Sequence, residues 1–182
     1  MPTKPKPITP GETMKYITPK HLRKWGACYT DERIAELVPS KGLTVQGYLE
    51  LDIPNNDKVW LATRPKVLPD YVSYHWAALT VERALGRADN PDPRSVAVIG
   101  YLRSRANGGP KDPKIAADAV YAVTYADAAD AVYAATAANA AYVVTYADAA
   151  DAVYAAATAY ATSAELALRV KDLLGLLNAD KT

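Results

Sequence analysis

Phenylalanine is absent from this chain of 182 residues, cysteine occurs once and histidine twice. One cysteine, Cys28, allows no internal disulfide and argues against a disulfide-stapled secreted domain. His21 and His75 fall on separate segments, and nothing around either completes a triad or a zinc-ligand set. Without phenylalanine, every ring apart from three tryptophans belongs to one of 13 tyrosines. A buried tyrosine must find a partner for its O–H, so this composition tilts the rings towards wet or interfacial positions. The longest uncharged run, Ala131–Ala147, is too short and too alanine-rich for a membrane span. The opening "MPTKPKPITPGET" is basic and proline-rich but has no apolar h-region, so a disordered arm is expected over 1–16 and not a signal peptide. The expected location is cytoplasmic.

A large basic field is lacking too. Residues 1–110 carry 16 Lys+Arg against 11 Asp+Glu, and residues 111–182 carry 5 against 9. That balance leaves little to neutralise phosphates, which excludes duplex nucleic acid as the main partner. The opposite signs of the two halves could steer a basic partner to the C-terminal half or favour self-association.

What is present is helix-start chemistry. Thr18-Pro19, Asp92-Pro93 and Asp112-Pro113 each set a capping side chain before a proline at the first helical position. Thr30 before Asp31 and Glu32 predicts a helix that Pro39 closes, Thr44 opens a short one, and Asn55–Asp57 starts another through Trp60. From Asp70 to Arg87, Val72, Trp76, Leu79 and Arg83 form an amphipathic stripe with a charged end. A further helix is expected from Pro93 to Ala106, stopped by Asn107-Gly108-Gly109-Pro110. No period-two alternation appears, so no strands are expected.

Between Pro113 and Gly175 the chain has neither glycine nor proline, and nearly half of residues 115–164 are alanine. The phrase TYADAADAVYAA occurs at 124–135 and again at 145–156, an offset of 21 residues. Alanine favours helix because it loses no rotamer entropy on folding. One straight helix through this segment would run roughly 90 Å at 1.5 Å per residue, so breaks are expected at Ala137–Ala140 and near Thr162. Thr162 and Glu165 have capping-box spacing. The two legs could pack antiparallel, with one kinked helix as the alternative. Three heptads keep their register in an underwound pair, which puts Tyr121, Thr124, Ala128, Ala131, Ala135, Ala138, Tyr142, Thr145, Ala149 and Ala152 on a small-residue seam.

The candidate chemistry in this segment concerns binding. Asp127 and Asp130, like Asp148 and Asp151, share a helical face, and D-x-x-D on facing helices could hold Mg²⁺. Their alanine surroundings offer no cation to hold a diphosphate, so solubility is the better account and no metal or other cofactor is expected. Tyr121, Tyr125, Tyr133, Tyr142, Tyr146 and Tyr154 repeat at the same offset. Tyrosine gives large contact area with few torsions to freeze. These six tyrosines and four aspartates are therefore the candidate binding residues. The duplication could equally build the seam and nothing more. The rings could also grip a small nucleotide, with Arg83, Arg103 or Arg105 answering its phosphates. No catalytic residue presents itself. Cys28 lacks a neighbouring histidine that would mark a nucleophile.

Three stretches, RKWGACYTDERIAEL at 23–37, VLPDYVSYHWAALTVERAL at 67–85 and DPRSVAVI at 92–99, precede the alanine-rich segment. With them, most of residues 15–162 resembles the alanine-rich helical immunity proteins of bacterial toxin–immunity systems, which have phage-borne relatives. The motifs are Trp25-Gly26-Ala27-Cys28, the Glu82-Arg83-Ala84-Leu85 helix end, and composition. This chain carries Tyr and Asp where such proteins carry Trp, His and Arg. The resemblance implies a non-catalytic, all-helical binder with no catalytic residues to carry over. Its partner would be a toxin or, for a phage protein, a defence effector or that effector's nucleotide signal.

The expectation is thus an all-α helical bundle with short N-terminal helices and long alanine-rich helices in the C-terminal half. After the 1–16 arm it has a small helical subdomain over 17–69 and a bundle with the duplicated segment over 70–182. It is expected to be no enzyme, to neutralise a protein partner by occlusion, and to form a homo-oligomer through residues 113–162. The alternatives are a sponge for a small nucleotide and a structural homo-oligomerisation module.

Overall fold

Capping chemistry sets where the helices begin. A computed structural model describes residues 13–64, 66–123, 140–141 and 163–179 of the chain. Its helices are α1 (Pro19–Lys24), α2 (Asp31–Leu37), α3 (Val45–Leu49), α4 (Asn55–Ala62), α5 (Asp70–Leu85), α6 (Pro93–Ala106), α7 (Pro113–Val123) and α8 (Ser163–Ala179). They make up more than half of the described residues, among which there is no strand; the fold is all-α.

Thr30 and Thr44 hydroxyls accept from the Arg33 and Gly47 backbone N–H groups at 3.3 and 3.1 Å. Asp92 accepts from the Arg94 N–H at 2.8 Å, and Asp112 from that of Lys114 at 3.0 Å. Each satisfies a donor that the first helical turn leaves free. At α1 the Thr18 N–H instead donates to His21 Nδ1 at 3.2 Å.

α5 departs from the expected stripe. Val72 and Trp76 are buried, but so are Ser73, Tyr74, Ala77, Ala78, Thr80, Val81, Ala84 and Leu85, while Leu79 is only half-buried. The helix is enclosed on most sides because it packs against both α6 and α8. α7 lies on α6, and α8 returns to α3 and α4 as well as α5. One hydrophobic cluster therefore runs from Ile17 through Leu61 and Trp76 to Leu173. Ala116 and Ala119 of α7, together with Ala140 and Ala141, are fully buried in it, as close backbone approach on alanine faces allows.

The chain entering α1 is held by backbone pairing. Ile17 N–H donates to Leu43 O at 2.7 Å and Leu43 N–H returns to Ile17 O at 2.9 Å, an isolated antiparallel bridge. Gly42 permits it, since its φ is +85° and an added Cβ would lie 2.7 Å from the Ile17 carbonyl oxygen.

The tilt towards wet tyrosines describes only part of the first half, where Tyr16 is exposed and Tyr29 and Tyr71 are half-buried. Tyr48, Tyr74 and Tyr101 are buried, and two of their hydroxyls accept hydrogen bonds: Tyr101 from the Asp112 N–H at 3.2 Å and Tyr74 from Arg105 at 3.4 Å. A ring can be core while its hydroxyl oxygen meets a donor at the core's margin.

Candidate functional site

A cleft of about 280 Å³ opens between the α1–α2 connector, α3 and α4. The connector contributes Ala27, Cys28 and Tyr29, α3 contributes Tyr48, and α4 contributes Asn56, Asp57 and Trp60. Its shape begins at Gly26, whose φ of +75° ends α1. There the Gly26 N–H bonds to Arg23 O at 3.1 Å and the Ala27 N–H to Leu22 O at 3.0 Å. That pair of bonds is a Schellman turn. It swings the next three residues to the cleft before Thr30 caps α2. On the opposite wall, Asp57 and Trp60 lie three residues apart and so share a face of α4.

Tyr29 closes the two walls on each other, its hydroxyl donating to Asp57 Oδ2 at 2.5 Å. Loss of solvation, then the Asp57 hydrogen bond and charge, push Tyr29 up to about 12. Burial, then Asp57, push Tyr48 to about 12 as well. Both phenols therefore stay protonated at physiological pH, and neither can serve as base or nucleophile there. Trp60 also takes the Arg64 guanidinium over its ring, 4.9 Å from the centroid.

The other concentration of charge ties α5 to α8. Glu165, 1% exposed, accepts from Arg83 Nε at 3.0 Å, Arg87 Nη2 at 2.6 Å and Arg169 Nε at 3.3 Å. Arg83 also binds Asp172. Burial would raise Glu165, but the Arg87 and Arg83 hydrogen bonds and the cationic charges outweigh it and hold the carboxyl low. The arginines move in opposite senses. Burial lowers Arg169, which has one carboxylate and two like charges beside it. Arg83 is raised, because two carboxylates overcome its desolvation. Both stay charged, since guanidinium is not deprotonated in proteins, so the cluster is a clamp. Trp76 adds a neutral tie beside it, its Nε1–H donating to the Arg169 carbonyl at 2.9 Å.

Of the candidate binding residues, Tyr125, Tyr133, Tyr142, Tyr146, Tyr154, Asp127, Asp130, Asp148 and Asp151 lie outside the described residues. Tyr121 sits in the last turn of α7, with its side chain also outside them. The seam beyond it and the Thr162 cap lie outside them too, as does the expected break at Ala137–Ala140 except for Ala140, which is helical. Comparison with protein-family models, curated proteins and solved structures finds no significant match. The three arginines considered for a nucleotide are engaged: Arg83 with Glu165 and Asp172, Arg103 with Glu82 at 2.8 Å, and Arg105 with Tyr74 and the Gly109 carbonyl. Among the described residues no group of His, Cys, Asp and Glu could hold a metal ion, and no helix is long and apolar enough to cross a membrane.

Sequence reasoning did not find the cleft. The Asp57–Trp60 spacing was available as a local signal, as was a tyrosine shortly after a helix-ending glycine. Over the separation of 28 positions from Tyr29 to Asp57 there is no cue that the two meet.

Proposed function

We propose that the chain is a non-catalytic binding protein of the immunity or anti-defence type, which neutralises a protein partner by occluding it. The observation that supports this is the cleft. Its walls are tied by a short Tyr29–Asp57 bond, and its two phenols stay in their neutral form. Rigid aromatic anchors with a polar tip suit recognition of another surface. The resemblance to immunity proteins points the same way, as does the duplicated Tyr, Ala and Asp phrase. A nucleotide sponge has less behind it, because Arg83, Arg103 and Arg105 already have partners.

The test is affinity capture from the source cell, followed by measurement of the captured protein's own activity, free and bound. The expected outcome is a stoichiometric complex in which that activity is lost, weakened at least tenfold by Trp60→Ala. Calorimetry with a nucleotide panel runs beside it. Saturable heat from a nucleotide, with no protein captured, would replace this reading by the sponge.

A further inference from the structure

We infer that the cleft is a cation site that takes the ammonium head of an alkyl amine, carried either by a lysine side chain or by a free small amine. Tyr29, Tyr48 and Trp60 contribute three ring systems to the cavity, and Asp57 is the one charged side chain in its lining. Ring faces carry negative potential and attract cations; the Arg64 guanidinium stacked on Trp60 shows that this ring accepts one. Arg64 itself does not line the cavity.

Asp57 is set apart by what it lacks. Among the described residues, the other partly or fully buried carboxylates are compensated. Asp92 has Arg94, Asp118 has Lys114, Asp172 has Arg83 and Glu165 has three arginines. Asp112 caps α7 through two backbone N–H groups. Asp57 has the Tyr29 hydroxyl on Oδ2 and no ion pair. Arg33, which is close enough to act on the Tyr29 hydroxyl, is tied to Glu36 at 2.9 Å. The start of α4 favours negative charge, and Asp57 in the first turn already supplies it. A further anion would face that carboxylate, whereas an ammonium would complete it. A volume of about 280 Å³ lies just below the range of pockets for drug-sized ligands, which fits a side chain or small amine.

This deepens the binding reading and rests on it only for the partner's identity. Cys28, the chain's single cysteine, is exposed and lines the cleft, so its modification by an uncharged thiol reagent reports occupancy. At equal ionic strength, n-butylammonium and acetyl-lysine amide should slow that reaction saturably. Neutral n-butanol and the Nε-acetylated lysine amide should not. Asp57→Asn keeps an acceptor for Tyr29 and should weaken protection at least tenfold, with its melting curve recorded alongside; the neutral-analogue contrast uses the wild-type chain and needs no variant. A lysine peptide that protects better than the free amine assigns the cation to a protein, and the reverse assigns it to a metabolite-sized amine. Equal protection by the neutral analogues, or no saturable protection by any amine, overturns the proposal. Loss of partner capture while amines still bind would remove the neutralisation reading alone.

Discussion

Gly26 sets the direction in which the chain leaves α1, and with it the positions of Cys28 and Tyr29. An added Cβ there meets nothing within 4 Å, so the obstacle to a side chain is the backbone angle of +75° alone. That conformation costs an L-residue about 1–2 kcal/mol. Gly26→Ala should lower stability by that amount in a denaturant titration; a variant as stable as wild type would mean the turn can relax. Asp57 adds to burial in raising the two phenols beside it. Tyr29 and Tyr48 titrate at about 12, above the ordinary 10.0 of the unfolded chain, so the fold binds those protons more tightly. Their contribution to stability is complete below pH 10 and is lost as pH rises from about 10 to 12. Asp57→Asn removes a negative charge that raises both, so phenolate absorbance should develop at lower pH than in wild type. Identical titration curves would assign both shifts to burial alone.

At the scale of elements, the decisive joint is α8 against α5. Removing one partner of a buried ion cluster leaves charge uncompensated, at a cost of about 3–5 kcal/mol. Glu165→Gln strands the nearly fully buried Arg169, so the melting temperature should fall by about 6–20 °C for a chain of this size. Because Glu165 is held below its ordinary value, its stabilisation is present above the unfolded carboxyl range and is lost as pH falls through the lowered folded value. Acid unfolding of wild type should therefore show a proton-linked loss that the variant lacks; a variant with unchanged melting and acid profile would make the clamp dispensable. None of this was legible beforehand. Thr18-Pro19, Thr30, Thr44, Asp92-Pro93 and Asp112-Pro113 announced their helices because a cap acts within three residues of itself. The expected Pro93–Ala106 helix has the bounds of α6. Glu165, by contrast, read as a capping-box partner, and its bonds to Arg83 and Arg87 span 82 and 78 residues. The cleft escaped for the same reason, since Tyr29 and Asp57 are each ordinary in their own neighbourhoods.

At the scale of the whole molecule, the duplicated segment is the part of the sequence expected to support self-association. Alanine faces bury little area, at roughly 25 cal/mol per Å² of apolar surface, so a thin alanine-rich element gains from pairing with another. Ala116, Ala119, Ala140 and Ala141 are already used in this way inside the chain. The repeated tyrosines are the other resource, and Tyr125 and Tyr146 follow Tyr121 and Tyr142 by four residues in each copy. If they form a binding ridge, truncating them should cost about 2 kcal/mol or more in association. The double variant Tyr125→Ala and Tyr146→Ala should then keep its melting temperature while partner binding or self-association weakens at least tenfold. Light scattering at tens of micromolar reads the second property, and wild type is expected to be a homodimer or small homo-oligomer. A collapse of melting in the double variant would make the rings core, as Tyr48, Tyr74 and Tyr101 are in the first half. If neither property moves, binding must fall to the cleft on the short N-terminal helices, where Trp60→Ala separates the two surfaces: loss of binding there, with the repeat variant silent, assigns recognition to the rings around Asp57.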